Sequence, residues 1–148
     1  MSVCKVISHR GANKQAPQNT IPAFEKSLEI GVDGFETDVH MSRDGVPVIC
    51  HNYTIDETSN GIGAISDMTL EQLRSYDFGS YFHDEFRGTK LPTLDEFLTL
   101  CATADIEIMN IELKTPLSGE KGIVKETLAA VKEHGLFDKP VSYTHLTL

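Results

Sequence analysis

Ile7-Ser8-His9-Arg10-Gly11-Ala12-Asn13-Lys14-Gln15-Ala16-Pro17-Gln18-Asn19 starts as the end of an apolar strand and stops at a histidine, an arginine and a glycine. The run before it, Val3 to Ser8, is β-branched and nearly continuous, the pattern of a strand covered on both faces as in a parallel sheet. Two polar heads therefore stand where a buried strand surfaces. In a repeat of strand and helix, the loops after the carboxyl ends of the strands form one working face, and glycine at position 11 allows a sharp turn with positive φ. Three later segments end the same way: Glu36-Thr37-Asp38, His51-Asn52 and Glu112-Leu113-Lys114.

Working outward, Asn19-Thr20 offers helix N-cap oxygens and Pro22 falls in a first turn. Ile21, Phe24 and Leu28 then recur at helical spacing, and Gly31 is placed to stop the helix. From Gly34 to Met41 the chain alternates, with Phe35, Thr37, Val39 and Met41 on one side of a strand and Glu36, Asp38 and His40 on the other. Arg43-Asp44-Gly45 has turn chemistry, and Val46 to Cys50 reads as a short strand ending at His51. Residues 52–92 then leave the repeat for 41 positions, far beyond the usual loop of about two to six residues. The excursion holds a predicted short helix, Thr69 to Tyr76, and an aromatic group of Phe78, Tyr81, Phe82 and Phe86 between Gly79 and Gly88, expected to be a small core that also serves as a lid.

Thr93 and Glu96 have capping-box spacing at the start of a helix from Leu94 to Ala104. Ile106 to Lys114 is the next predicted strand, with Asn110, Glu112 and Lys114 on one face, and Ile123 to Glu133 is the next helix, stopped by Gly135. Strand, helix, strand, strand, excursion, helix, strand, helix is an α/β order with short strands of parallel type. A doubly wound sheet and a barrel both satisfy it. The first strand is not followed by G-x-G-x-x-G, which disfavours a dinucleotide site.

The bulk properties narrow the classes. The chain has 148 residues, 40% of them apolar, enough for a core of one domain. With 22 acidic against 13 basic residues the formal charge is -9, which argues against nucleic acid as a partner and for cations. Cys4, Cys50 and Cys101 are odd in number and sit in apolar runs, so they read as reduced core residues. No apolar run approaches a signal peptide or the ~18 residues of a membrane span, so the expected setting is cytoplasmic, with no stable membrane insertion.

The strand ends carry the chemistry. Glu36, Asp38 and Glu112 converging in one mouth repel, and a bound divalent cation relieves that repulsion; an all-oxygen set favours a hard ion, Mg²⁺ or Ca²⁺. His9 and His51 both end strands and suit a pair dividing general base from general acid. Arg10 and Lys114 add positive charge for an anionic substrate such as a phosphate. His40, His83, His134 and His145 lack such a context and read as surface or structural.

His9-Arg10-Gly11, Pro17-Gln18-Asn19-Thr20, Glu36-Thr37-Asp38-Val39, Val48-Ile49-Cys50-His51-Asn52, Leu91-Pro92-Thr93-Leu94 and Asn110-Ile111-Glu112-Leu113-Lys114, in that order, resemble the successive motifs of the glycerophosphodiester phosphodiesterases, from about Val3 to about Leu136. The resemblance implies a (β/α)₈ TIM barrel, a hydrolase active in lipid metabolism, and metal-dependent cleavage of small-molecule glycerophosphodiesters to glycerol 3-phosphate and an alcohol. It implies the catalytic pair at His9 and His51, metal ligands at Glu36, Asp38 and Glu112, and phosphate contacts at Arg10 and Lys114. The family usually has Glu where Gln18 stands and Asp where Asn52 stands, so groups supporting the primary set are altered.

A whole barrel takes about 250 residues, so residues 1–148 are expected to be the N-terminal part of one barrel domain: about five strands, with the insertion, about 52–92, after the third. Pro140-Val141-Ser142 begins like a fifth strand, whereas residues 143–148 depart from the family and are expected not to be native. These residues alone are expected to associate through open strand edges and to be inactive. A phosphatidylinositol-type phospholipase C-like barrel enzyme and an inactive fragment or phosphodiester-binding module stay open as alternatives, as do the alcohol headgroup, the metal and the oligomeric state.

Overall fold

The computed structural model describes residues 4–115, 122–138 and 141–142. Its strands are β1 (Ile7–His9), β2 (Gly34–Met41), β3 (Pro47–Ile49), β4 (Ile108–Leu113) and β5 (Val141–Ser142), and its helices are α1 (Ile21–Ile30), α2 (Leu70–Arg74), α3 (Leu94–Thr103) and α4 (Ile123–Glu133). One sheet runs β1-β2-β4-β5, every pair parallel, with β3 attached to β2. The expectations for residues 143–148 and for His145 lie outside the described residues.

The alternation along β2 divides two environments. Phe35, Val39 and Met41 face the helices, where Phe35 meets Phe24 of α1 and Phe97 of α3 edge-on or tilted, with centroids 4.7–5.9 Å apart among the three rings. Such aromatic clusters bury large areas at favoured ring geometries. Glu36, Asp38 and His40 point to the opposite face. Register then fixes what lies beside them: His9 pairs with Glu36, Glu36 with Asn110, and Asp38 with Glu112. A slip of one residue would turn every carboxylate into the apolar layer.

Four findings differ from the sequence reading. β3 is antiparallel to β2, pairing Val39 with Ile49 and Met41 with Pro47, because Arg43-Asp44-Gly45 closes a hairpin rather than a crossover. The excursion after it leaves and returns at one place, since Ile49 N–H donates to the carbonyl of Pro92. Its core is largely aliphatic: Val48, Cys50, Ile55, Ile65, Leu73 and Leu91 bury with Phe78, while Tyr81, Phe82 and Phe86 stack edge-to-face at the surface. β1 is shorter and wetter than expected, with Val6 and Ile7 exposed, since among the described residues only β2 pairs with it. Finally, Cys4 is exposed, whereas Cys50 and Cys101 are buried.

The helix bounds hold within a residue or two. Thr69 with Gln72 and Thr93 with Glu96 form reciprocal capping boxes at the starts of α2 and α3, and Gly31 ends α1 in the left-handed conformation. Among the described residues no helix is long and apolar enough to cross a membrane.

Candidate active site

The loop after β1 is the tightest part of the mouth. Arg10 and Gly11 take consecutive left-handed conformations, φ 60° and 76°. For a non-glycine residue this strain costs on the order of 1–3 kcal/mol and persists only where the surroundings hold it. Here Arg10 N–H donates to the carbonyl of Glu36 at 2.9 Å and to Glu36 Oε2 at 3.2 Å, and the Arg10 carbonyl accepts from Asn19 N–H. Gly11 is required twice over: beyond its φ, a Cβ there would sit 2.7 Å from Ala23 Cβ. The turn is thereby pressed onto α1, and its two neighbouring side chains are aimed at β2. The exposed His9 ring has Nε2 3.6 Å from Glu36 Oε2. Arg10 Nη1 donates to Gln18 Oε1 at 3.0 Å, while its Nε lies 3.4 Å from Asp38 Oδ2.

Asp38 is wholly buried beneath these groups. Asn19 Nδ2 donates to Asp38 Oδ2 and Asn19 Oδ1 accepts from Thr37 Oγ, both at 2.9 Å, so Asn19 bridges two adjacent β2 residues. Asn19, read from sequence as a helix cap, therefore has another task. Thr20 takes the N-cap position and its hydroxyl donates to Pro17, so neither side chain caps α1.

Lys114 reaches in from the end of β4, with Nζ 2.7 Å from Glu112 Oε1 and 3.0 Å from Asp38 Oδ1. Burial opposes its charge, but contacts with Glu112 and Asp38 outweigh burial and raise its pKa. Glu36, Asp38 and Glu112 each bring one oxygen within 4.8 Å of the others. Against these three carboxylates stand two permanent cations, Arg10 and Lys114. The shortfall shows at Glu36, whose pKa burial, and then the charge of Asp38, push up to about 7. Asp38 Oδ1, buried and in ion-pair contact with Lys114, and Arg10 Nε lack a well-aligned hydrogen bond. An excess of negative charge with a buried oxygen unsatisfied fits a hard divalent cation.

The antiparallel return of β3 is what brings His51 to this mouth. Cys50 N–H donates to the carbonyl of Asp38 at 3.0 Å, leaving the next residue beside the carboxylates. His40, read from sequence as surface or structural, is buried under this segment, and its ring nitrogen Nε2 lies 3.2 Å from the His51 carbonyl. Burial lowers the His40 pKa to about 4, so the ring is neutral and donates through Nε2–H. Period two had already put His40 on the face of Glu36 and Asp38; that was its available signal. His51 Nδ1 lies 2.6 Å from Asn52 Oδ1, and Asn52 Nδ2 donates to Glu57 Oε2 at 2.8 Å. His9 is held below the usual histidine range by burial, then by Arg10, with His51 also contributing. All seven candidate residues, His9, Arg10, Glu36, Asp38, His51, Glu112 and Lys114, thus gather at one end of the sheet.

The sequence matches the glycerophosphoryl diester phosphodiesterase family over residues 9–145. The chain belongs to this family. It is 39% identical over 145 residues to a glycerophosphodiester phosphodiesterase of Caldanaerobacter subterraneus subsp. tengcongensis, covering 97% of this chain and 59% of the relative. The crystal structure of the glycerophosphodiester phosphodiesterase from Agrobacterium tumefaciens superposes with a TM-score of 0.85 at 34% identity, over 96% of this chain and 58% of that one. An Oleispira antarctica phosphodiesterase, solved in complex with the product sn-glycerol-3-phosphate, superposes with a TM-score of 0.88 at 31% identity, over 95% and 57%. The family decides between doubly wound sheet and barrel: the parallel strands and helices are part of a (β/α)₈ barrel, and the chain spans less than three fifths of these relatives.

Proposed function

We propose that the full-length protein carrying this chain hydrolyses glycerophosphodiesters to glycerol 3-phosphate and an alcohol, with a divalent cation, Mg²⁺ or Ca²⁺, held by Glu36, Asp38 and Glu112. The observation that carries this reading is the convergence of three carboxylates, two histidines and two permanent cations at one mouth, with Asp38 and Glu112 in direct register. The sn-glycerol-3-phosphate bound by the Oleispira antarctica phosphodiesterase supports the substrate class. The ion would neutralise charge on the phosphoryl oxygens and favour ionisation of the attacking hydroxyl. Arg10 and Lys114 bind and orient the phosphodiester through charge-assisted hydrogen bonds. One imidazole of the His9 and His51 pair takes a proton from the attacking water as its oxygen bonds to phosphorus and the P–O bond to the alcohol breaks, and the other protonates that alcohol. Where the glycerol hydroxyl of the substrate attacks instead, water opens the resulting cyclic phosphate in a second step with the two roles exchanged. The test is release of glycerol 3-phosphate from glycerophosphocholine; a protein that binds the diester without turnover would instead be a binding module.

The raised pKa of Glu36 has a measurable consequence. Below pH 7 the metal-free site holds a proton on Glu36 that the cation must displace, so apparent affinity falls about tenfold per pH unit below 7 and levels off above it. Calorimetric titration with Mg²⁺ in buffers of different ionisation heat should find close to one proton released at pH 6 and close to none at pH 8. Constant affinity from pH 5.5 to 8 would remove Glu36 from the set.

Asn19 supplies a second check. Asn19→Ala removes the hydrogen bond to Asp38 Oδ2 and leaves the buried Thr37 hydroxyl without its acceptor. Loss of such a support usually lowers metal affinity by about 10- to 100-fold. Calorimetry on this variant should find a loss in that range, and unchanged affinity would show that Asp38 needs no support from the loop.

A further inference from the structure

Glu57 lies in the excursion, far from β2 and β4 in sequence, and it completes a short relay. His51 Nδ1, Asn52 Oδ1, Asn52 Nδ2 and Glu57 Oε2 follow one another at 2.6 Å across the first gap and 2.8 Å across the last. A carboxamide has an accepting end and a donating end, and rotation by half a turn exchanges them. A carboxylate can only accept. Glu57 therefore keeps Nδ2 on its own side and leaves Oδ1 toward His51. With an acceptor at 2.6 Å, His51 Nδ1 must carry the hydrogen, and Nε2 of the neutral ring keeps its lone pair.

The segment bearing Glu57 is built to stay in place. Ile55 is buried in the core of the excursion and Thr58 is buried as well, Ile55 N–H donates to the carbonyl of Gly63, and Gly63 N–H donates to Asp56 Oδ1. We propose that Glu57 is a positioning residue for His51: through the Asn52 amide it selects the tautomer in which Nε2 is free to take or return a proton. The inference rests on the reading of His51 as an acid-base group.

The relay has a signature that a merely structural role lacks. In the full-length protein, Glu57→Lys offers only donors, turns Oδ1 of Asn52 toward itself and presents Nδ2 to His51. With one outward hydrogen bond at stake, kcat for glycerophosphocholine should fall on the order of 3- to 10-fold with KM little changed. Glu57→Gln, which retains an accepting oxygen, should recover most of the loss. Asn52→Asp removes the ambiguity, since both carboxylate oxygens accept; in that background Glu57→Lys should be harmless or favourable. The ¹⁵N shifts of His51 should report hydrogen on Nδ1 in the parent and on Nε2 in Glu57→Lys.

The inference is overturned if Glu57→Lys leaves kcat and the His51 shifts unchanged, or if its loss persists after Asn52→Asp, as it would for a loop that had simply unfolded. His51→Ala separates the two readings: if it is silent, the acid-base role itself fails; if it is damaging while Glu57→Lys is silent, only the relay fails.

Discussion

Excess chelator should abolish hydrolysis of glycerophosphocholine by the full-length protein, and Mg²⁺ or Ca²⁺ added beyond the chelator should restore it. The physical reason lies in the charge balance at the mouth. Two carboxylate charges within 4.8 Å of one another, at an effective dielectric constant of about 20, repel by at least about 3 kcal/mol. Lys114 offsets part of this through Asp38 and Glu112, and Arg10 adds its guanidinium beside Asp38, yet Glu36 still holds a proton up to about pH 7. A phosphodiester brings a further negative charge to the same place, so without a cation the substrate meets a mouth with no net attraction for it. Glu36→Gln should weaken the metal more than Gln18→Glu alters it, because Gln18 meets the guanidinium of Arg10 and lies outside the cluster of three acids. Full turnover in excess chelator would remove the metal from the account.

Replacing either histidine with alanine should cost on the order of 10²- to 10⁴-fold in kcat, the usual contribution of a positioned acid or base. The losses should not add in the double variant, since both groups serve one transition state. His51→Ala leaves the backbone carbonyl that His40 holds, so the segment should stay in place while the imidazole is gone. His9 is exposed at the end of β1, and its removal opens no cavity. Losses in these variants therefore report chemistry rather than unfolding, which equal melting temperatures should verify. The profile of kcat/KM against pH should be bell-shaped, with limbs belonging to the coupled site rather than to one ring. A variant with near wild-type kcat would remove its histidine from the mechanism.

Much of this site was legible because a strand has period two. Glu36 and Asp38 had to share a face, and Asn110, Glu112 and Lys114 had to share another; only the parallel register Asp38 to Glu112 was needed to join them. What the residues did not disclose was direction. Val46 to Cys50 is equally apolar as a crossover strand or a hairpin return, and the Asp44-Gly45 turn, a hairpin signal, was the available clue. His51 reaches the mouth by that return, not by ending a barrel strand. Asn19 was misread because asparagine before a proline-containing first turn is a good cap; its real partners, Thr37 and Asp38, are 18 and 19 residues away. The edge of β1 and the surface aromatics were over-assigned to the core for a related reason. Apolarity indicates that a side chain can be buried, while burial itself depends on which elements pack there.

In the proposed reaction, carboxylates, imidazoles and cations at one mouth cleave a glycerophosphodiester with the help of a divalent ion. This reaction is tested most directly by following glycerophosphocholine with ³¹P NMR in the presence of the full-length protein, with Mg²⁺ or Ca²⁺ and then with chelator. The expected result is conversion of the diester resonance to that of glycerol 3-phosphate, with choline released, only while the cation is present. A diester resonance unchanged at saturating cation, or converted equally fast in excess chelator, would contradict it.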